Sequence, residues 1–298
     1  MVPHSAGGRE GDGGDRTMTV TEQAPAGVTG SAPVVSVPRY IRPRPRTVLR
    51  STSTMWTVWV GVVLTLVIEF VSRASPVSSL DLVPPTTMAR RMFELLMTGS
   101  FVTGNLLPTL QRLFESFVLA AVLGFALAYP MWRFRLWRMT LEPYLNVYYA
   151  IPVFAIYPIL VVLFGTGDAP IVGVSVAFGM VVVTTNTMNG FASVPPTVQK
   201  LAVSRQLTGL QSFTKILVPA AIPDIAAGLR LGLVYTTISV LATEFLLGNR
   251  GLGYFISRSY YTFEVGDMYA GILLICLMGL ILNISVSLIL NKIDWRRK

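Results

Sequence analysis

The sequence predicts an all-α, polytopic membrane protein with about six transmembrane helices. Only 13% of its 298 residues are charged, whereas 52% are hydrophobic. Soluble domains have roughly twice that charged fraction, about 25%. The mean hydropathy is +0.60, and the charges fall mostly in the first 50 residues, in short loops and at the carboxyl terminus. Between them lie apolar runs of about 20 residues, the length that crosses a bilayer.

Six segments qualify as spans. They are 55–72, 112–131, 144–164, 170–187, 225–247 and 269–290. The first run opens with Trp56 and Trp59, aromatic residues that suit a membrane interface. A short polar turn at residues 165–169 divides the third run from the fourth, which would otherwise be too long for one crossing.

The distribution of Lys and Arg predicts that both termini are cytoplasmic. This orientation places 17 of the 24 basic residues on the cytoplasmic side and five outside, while Arg112 and Arg230 lie at helix ends. An excess of basic residues in cytoplasmic loops is the usual sign of orientation. The net charge of +9 therefore indicates contact with anionic membrane lipid and no role in nucleic-acid binding.

The chain divides into a tail and a membrane domain. Residues 1–50 are predicted to be a disordered, basic cytoplasmic tail, and residues 51–298 form the membrane domain. A single cysteine, Cys276, and a single histidine, His4, exclude a disulfide framework and a Cys- or His-based metal site. Because Cys276 lies in an apolar run, we expect it to be a small buried residue.

Two loops are long. The outer loop, 73–111, contains an amphipathic stretch over Met88–Met97, which we expect either to lie at the interface or to pack on the bundle. The cytoplasmic loop, about 188–224, is predicted to contain a helix from Pro196 to Thr208 and a second one from Gln211 to Val218 that ends before Pro219. Gly209 offers a stop for the first helix. A loop with its own helices suggests docking of a cytoplasmic partner.

This loop resembles that of binding-protein-dependent ABC importer permeases. Their signature is Glu-Ala-Ala, three residues, Gly, nine residues and Ile-x-Leu-Pro. Aligning Pro219 with the final proline places Ile216 on the isoleucine, Gln206 on the glycine and Lys200-Leu201-Ala202 on Glu-Ala-Ala. Flanking runs are similar to the branch of nitrate, sulfonate and taurine permeases: Ala150-Ile151-Pro152, Ala227-Gly228-Leu229-Arg230-Leu231, Ala242-Thr243-Glu244 and Gly251-Leu252-Gly253-Tyr254.

The resemblance covers about residues 50–298 and implies a type I ABC importer permease-like bundle. In such proteins the loop docks on an ATPase subunit; the docking residues here would be Lys200, Leu201, Ala202, Arg205, Gln206, Gly209, Ile216 and Pro219. Two residues depart from the signature: Lys200 reverses the charge of the family glutamate, and Gln206 replaces the glycine, so the bend is expected to move to Gly209. These departures indicate either a permease matched to its own diverged ATPase or the weaker half of a heterodimer.

Charged and polar residues within the spans suggest further roles. Arg112 and Glu115, three residues apart, share a helix face and are predicted to form a structural ion pair. We expect Glu244 to orient the Gly-rich loop that follows it. The third span is broken by prolines, and Tyr149, Pro152 and Tyr157 are candidates to line a translocation path.

No Gly-x-x-x-x-Gly-Lys-Ser/Thr motif occurs, so ATP hydrolysis through a P-loop is expected in another chain. The chain itself is predicted to be a transport subunit that binds no cofactor, with ATP-Mg on the partner ATPase. The resemblance implies a second permease (identical or different), an extracytoplasmic binding protein and a small solute such as a sulfonate or nitrate. Two alternatives are a secondary transporter or channel that works without an ATPase, and a degenerate permease retained as a scaffold or partner half.

Overall fold

We describe a computed structural model of the chain over residues 49–74, 83–148 and 153–293. Contacts divide the chain into residues 1–53 and 54–298. In the first unit only residues 49–53 are described, as the beginning of a helix. The predicted tail, 1–50, lies almost entirely outside the described residues.

The described residues form twelve α-helices and two π-helical turns. In chain order these are α1 (Leu49–Ala74), α2 (Pro85–Met97), α3 (Gly99–Phe101), a π turn (Val102–Leu106), α4 (Leu107–Arg133), α5 (Arg135–Tyr148), α6 (Val153–Phe164), α7 (Asp168–Ala192), α8 (Pro196–Ser204), α9 (Gly209–Ser212), a second π turn (Phe213–Leu217), α10 (Val218–Leu247), α11 (Leu252–Tyr261) and α12 (Val265–Ile293). The all-α fold class is confirmed.

Four helical stretches within the described ranges are long and apolar enough to cross a membrane. They are Gly99–Arg133, Asp168–Ala192, Gly209–Tyr261 and Val265–Leu290, and they contain the second, fourth, fifth and sixth predicted spans. The first predicted span lies within the 26 residues of α1. The third corresponds to the end of α5 and to α6, with residues 149–152 between them undescribed.

Helices α4, α7 and α10 form the core of the bundle. Small residues let their backbones approach closely, as in many membrane helix pairs. A Cβ on Gly179 would lie 2.8 Å from Cβ of Ala120 and 2.4 Å from Oγ1 of Thr236. One turn further along α7, Val183 fills the space above Gly124 and Gly232. The glycines on α4, α7 and α10 therefore set how closely the three helices pack.

The helix α2 packs against α12. Its residue Met92 is buried in a cluster with Leu274 and Met278 of α12, and Arg91 forms an ion pair with Asp267. The hydrogen bond from Arg91 lowers the pKa of the Glu94 carboxyl below its usual range, with Arg90 adding to the effect. Of the two placements expected for this stretch, the structure shows packing on the bundle.

Two sequence predictions about individual positions are wrong. Cys276 is exposed, not buried, because it lies on a face of α12 away from the helices that contact it. The helix that begins at α9 does not end before Pro219 but continues through it into α10. A π turn precedes both Pro219 and Pro108 near the starts of α10 and α4, and a π turn changes the hydrogen-bonding register before the proline.

Candidate functional site

The bundle has two ends that differ in chemistry. Helices α4 and α7 run in the same direction, and α10 runs against them, so residues 112, 168 and 244 meet at one end. We call this the charged end. At the other end lie the last turns of α4 and α7, the helices α8 and α9 and the first turn of α10. We call this the loop end.

At the loop end, α8 and α9 form an exposed elbow. The side chains of Lys200, Arg205 and Gln206 are exposed, and Leu210 retains 73% of its exposure. Thr208 caps α9. Its hydroxyl accepts a hydrogen bond from the backbone N–H of Gln211, and the side chain of Gln211 accepts one from the backbone N–H of Thr208. The capping box fixes where α9 starts.

The bend of the elbow lies at Gln206, not at Gly209 as expected. Gln206 has φ of 51°, in the left-handed region that favours glycine. Gly209 is the first residue of α9 and has no positive φ among the described glycines. The backbone therefore keeps the bend at the signature position although the residue there is not glycine, at a cost of roughly 1–2 kcal/mol.

An aromatic cluster joins the elbow to the bundle. Phe213 lies in the π turn after α9. The centroid of its ring is 4.6 Å from that of Tyr129 and 6.3 Å from that of Phe125, both on α4. It is 5.8 Å from the ring centroid of Phe191 on α7. Trp132 contacts Phe191 at 5.8 Å between centroids. Aromatic pairs pack with defined geometry, and these pairs join the π turn after α9 to both α4 and α7.

The other predicted docking residues are placed as follows. Ile216 and Pro219 are half-buried where the π turn meets α10, and Gly209 is exposed. Leu201 and Ala202 lie in α8, but their side chains are outside the described part. Among its described side chains, the elbow therefore presents mostly polar and basic groups together with the exposed Leu210.

At the charged end, Arg112 lies in a buried ion network. Its Nη1 donates to Oε1 of Glu244 at 2.7 Å, and its Nε donates to Oδ1 of Asp168 at 2.9 Å. The side chains of Arg112 and Glu244 are 2% and 0% exposed, whereas Asp168 is 37% exposed and pairs with Arg250. A buried charge of this kind persists only when it is paired and hydrogen-bonded.

The predicted pair of Arg112 with Glu115 is wrong. Glu115 instead accepts a hydrogen bond from Nε2 of Gln111 at 2.8 Å. Arg112 points into the bundle, where a desolvated guanidinium must satisfy its donors. Asp168 and Glu244 do so from two other helices.

Glu244 also holds the Gly-rich loop, as predicted. Its Oε2 accepts from the hydroxyl of Thr109 at 2.8 Å and from N–H of Gly253 at 3.1 Å. Gly251 has φ of +107°, and a Cβ there would lie 2.5 Å from the carboxylate of Glu244. The loop must therefore carry glycine where it passes over the carboxylate.

Of the candidates to line a path, Tyr149 and Pro152 lie outside the described residues. Tyr157 is buried, with 6% exposure, among Ile171, Val174 and Val240. It packs α6 against α7 and α10.

The family follows from comparison with known proteins. A family model described as the inner membrane component of binding-protein-dependent transport systems matches residues 120–298. The chain belongs to this family. The permease is therefore a multi-pass inner-membrane protein and a transport subunit.

Named relatives agree on the class of protein and differ in solute. The permease is 30% identical to the formylaminopyrimidine transport permease ThiX of Halalkalibacterium halodurans over 72% of its own length and 85% of the relative. It is 28% identical to the nitrate import permease NrtB of Leptolyngbya laminosa, over 62% of its own length and 66% of the relative. It is 25% identical to the putative aliphatic sulfonates transport permease SsuC of Bacillus subtilis, over 74% of its own length and 80% of the relative.

A solved structure supports the fold. The permease resembles a chain of the inward-facing MetNI methionine ABC transporter with a TM-score of 0.58, at 19% identity, over 68% of its own length and 98% of that chain. At this identity the likeness concerns the fold alone.

Sequence reasoning missed three residues of these two ends: Asp168, Arg250 and Phe213. A signal for Asp168 was present. It lies in the polar turn at 165–169, directly before the fourth predicted span, on the side of the membrane where the sequence also places Arg112 and Glu244. Three charged groups predicted at one membrane level could have been paired. Phe213 carried no such signal, because its partners on α4 and α7 lie far away in sequence.

Proposed function

We propose that the permease forms one half of the translocation path of an ATP-driven importer, with the loop end cytoplasmic and the charged end extracytoplasmic. In this arrangement ATPase subunits carrying ATP-Mg dock on the α8–α9 elbow. A binding protein delivers the solute from outside. Closure of the ATPase subunits displaces the elbows and thereby opens the two bundles outward.

The observation that carries this proposal is the attachment of an exposed elbow to the bundle through Phe213. The elbow offers basic side chains at Lys200 and Arg205 and a projecting Leu210, which suit a groove with acidic and apolar parts. The aromatic contacts of Phe213 with α4 and α7 then make the elbow a lever, since it cannot move without moving both helices.

Site-specific cross-linking tests the docking. The exposed Cys276 is first replaced by serine, and Ser204, also exposed, is changed to cysteine next to the elbow. The tagged chain is treated with a short thiol-to-amine cross-linker in native membranes, purified and identified by mass spectrometry. We expect an ATPase subunit attached to Ser204→Cys and none attached to Thr262→Cys at the charged end.

The outcomes separate the alternatives. A second, different permease recovered in equal amount makes Lys200 and Gln206 features of an asymmetric pair. Recovery of the tagged chain with the ATPase alone indicates a homodimer that docks on a diverged groove. Absence of any ATPase from the Ser204→Cys product contradicts the proposal and favours a transporter that works alone.

For the solute, we propose a small organic or inorganic anion such as a sulfonate or nitrate. The names of two relatives, NrtB and SsuC, support this class. ThiX, of similar identity, names a formylaminopyrimidine, so sequence identity by itself does not select among them. Uptake of labelled nitrate, an alkanesulfonate and a formylaminopyrimidine in a strain lacking the permease tests the proposal. We expect loss of uptake of one of the two anions; loss of pyrimidine uptake alone contradicts it.

A further inference from the structure

The helix α5 has three distinct faces. Leu141 and Leu145 pack on the buried cluster at the loop end, together with Phe191 and Leu217. A second face is polar and carries Arg135, Arg138, Glu142 and Asn146. The third face is apolar and exposed: it consists of Leu136, Trp137, Met139, Tyr144 and Val147, which are 49–75% exposed.

The position of α5 places this apolar face at the membrane boundary. The helix α4 crosses the membrane and ends at Arg133, and α5 begins two residues later. The contacts of Leu141 and Leu145 hold α5 beside the ends of α7 and α10. A helix held at this level with an apolar face and an adjacent basic face has the composition of an interfacial helix.

The charges beside this face are basic and largely uncompensated. Arg133 lies over the ring of Phe134 at 5.9 Å, and Arg138 pairs with Glu142 at 3.1 Å. Within the described ranges no carboxylate forms an ion pair with Arg133 or Arg135. A guanidinium binds phosphate through two parallel hydrogen bonds, and it does so most readily where no protein carboxylate competes.

We propose that α5 and the end of α4 form a binding surface for anionic phospholipid, with Arg133 and Arg135 on the headgroup phosphate. The acyl chains lie along Leu136, Trp137 and Met139, where Leu136, Trp137, Thr140 and Leu141 line a groove. Lipid covers this apolar face because the face lies at the membrane boundary and the charge beside it is positive. The proposal depends on the membrane location of the permease and not on its solute or its ATPase.

Quenching of Trp137 tests this surface. The full chain is placed in nanodiscs of phosphatidylcholine with increasing amounts of brominated phosphatidylglycerol, and a second series uses brominated phosphatidylcholine. The difference between the parent chain and Trp137→Phe isolates the signal of Trp137 from the other tryptophans. We expect half-quenching at a several-fold lower fraction of phosphatidylglycerol than of phosphatidylcholine.

The arginines should account for this preference. Basic residues near an anionic surface each change lipid affinity by about fivefold, so Arg133→Gln with Arg135→Gln should remove the preference. The matched control, Arg90→Gln with Arg258→Gln, removes two exposed arginines at the charged end and should leave it unchanged. The preference of the parent chain should also fall with added salt, because the headgroup contact is screened.

Three results would overturn the proposal. They are equal quenching by the two lipids, a preference that survives removal of both arginines, and quenching by neither lipid together with disulfide formation between copies bearing Leu136→Cys. The last result assigns the face to a second copy of the chain. If the double variant does not insert, the salt titration of the parent chain decides, since a preference unchanged in 1 M salt contradicts a headgroup contact.

Discussion

The two ends of the bundle are built in opposite ways. At the charged end, Arg112 and Glu244 are fully buried, and the surrounding carboxylate, hydroxyl and backbone groups fix their positions from four helices. At the loop end, the elbow of α8 and α9 is exposed and contacts the bundle mainly through Phe213 and neighbouring apolar residues. The charged end is held by buried ion pairs, whose separation costs much free energy. The loop end is held by apolar and aromatic packing.

This difference shows how a helix bundle can transmit movement. Breaking a buried ion pair by removing one partner is costly, so the charged end resists rearrangement. Within the described residues no ion pair holds the elbow, which is joined to α4 and α7 by the aromatic packing of Phe213. If ATPase subunits act on the elbow as proposed, we expect the loop ends of α4 and α7 to move while their charged ends stay joined.

The largest expected effect is at Glu244. Replacing Glu244 with glutamine leaves the guanidinium of Arg112 without one of its two carboxylates, and we expect a loss of about 3–5 kcal/mol of stability. Thermal unfolding of the detergent-purified chain measures it. The control Glu115→Gln removes only the partner of Gln111 and should change stability by less than about 0.5 kcal/mol. Equal effects of the two variants would restore the pairing of Arg112 with Glu115.

A smaller loss is expected from Gly251→Ala. The new methyl group would lie 2.5 Å from the carboxylate of Glu244, at a φ of +107°. Strained backbone and overpacking together should cost about 2–4 kcal/mol. At Gly104, a Cβ meets nothing within 4 Å, so Gly104→Ala is the matched control and should be neutral or slightly stabilising. A neutral Gly251→Ala would show that the loop does not lie on Glu244.

The sequence predicts the spans well and the ion network poorly, for physical reasons. Apolar runs of about 20 residues determine α4, α7, α10 and α12 directly, because a bilayer sets their length. Proximity in sequence favours Glu115 as the partner of Arg112. Its partners Asp168 and Glu244 are 56 and 132 residues away, and only the packing of three helices brings them together.

The elbow was predicted in outline and corrected in detail. Proline and glycine positions predict two short helices: α8 matches the first as far as Ser204, whereas the second continues through the π turn into α10. The sequence predicts the bend at Gly209 because glycine adopts positive φ most easily. The structure keeps it at Gln206, since the capping box of Thr208 and Gln211 already fixes Gly209 as the first residue of α9.

A moderate effect is expected from Phe213→Ala. Loss of this half-buried ring should cost about 2 kcal/mol, less than a fully buried phenylalanine. In the assembled importer it should lower transport more than ATP hydrolysis, because the elbow loses its contact with α4 and α7. The control Leu210→Ala truncates an exposed side chain and should leave stability unchanged while weakening recovery of the ATPase. Unchanged transport per ATP in Phe213→Ala would contradict the lever.

The smallest effect is a gain at Gln206. Glycine relieves the left-handed strain but loses more entropy on folding, so Gln206→Gly should stabilise the chain by about 0.5–1 kcal/mol. The adjacent Arg205 is also exposed and has no positive φ, so Arg205→Gly should be destabilising by a similar amount. Chemical denaturation of the two variants side by side measures the difference, and loss of stability in Gln206→Gly would place the bend elsewhere.

The most direct test of the account is hydrogen–deuterium exchange of the purified importer, with its ATPase subunits attached and after their removal. We expect removal to speed exchange in residues 196–212 and to leave residues 109–115 and 241–255 protected. Unchanged exchange in residues 196–212 would contradict docking at the elbow, and a loss of protection at residues 241–255 would contradict the fixed charged end.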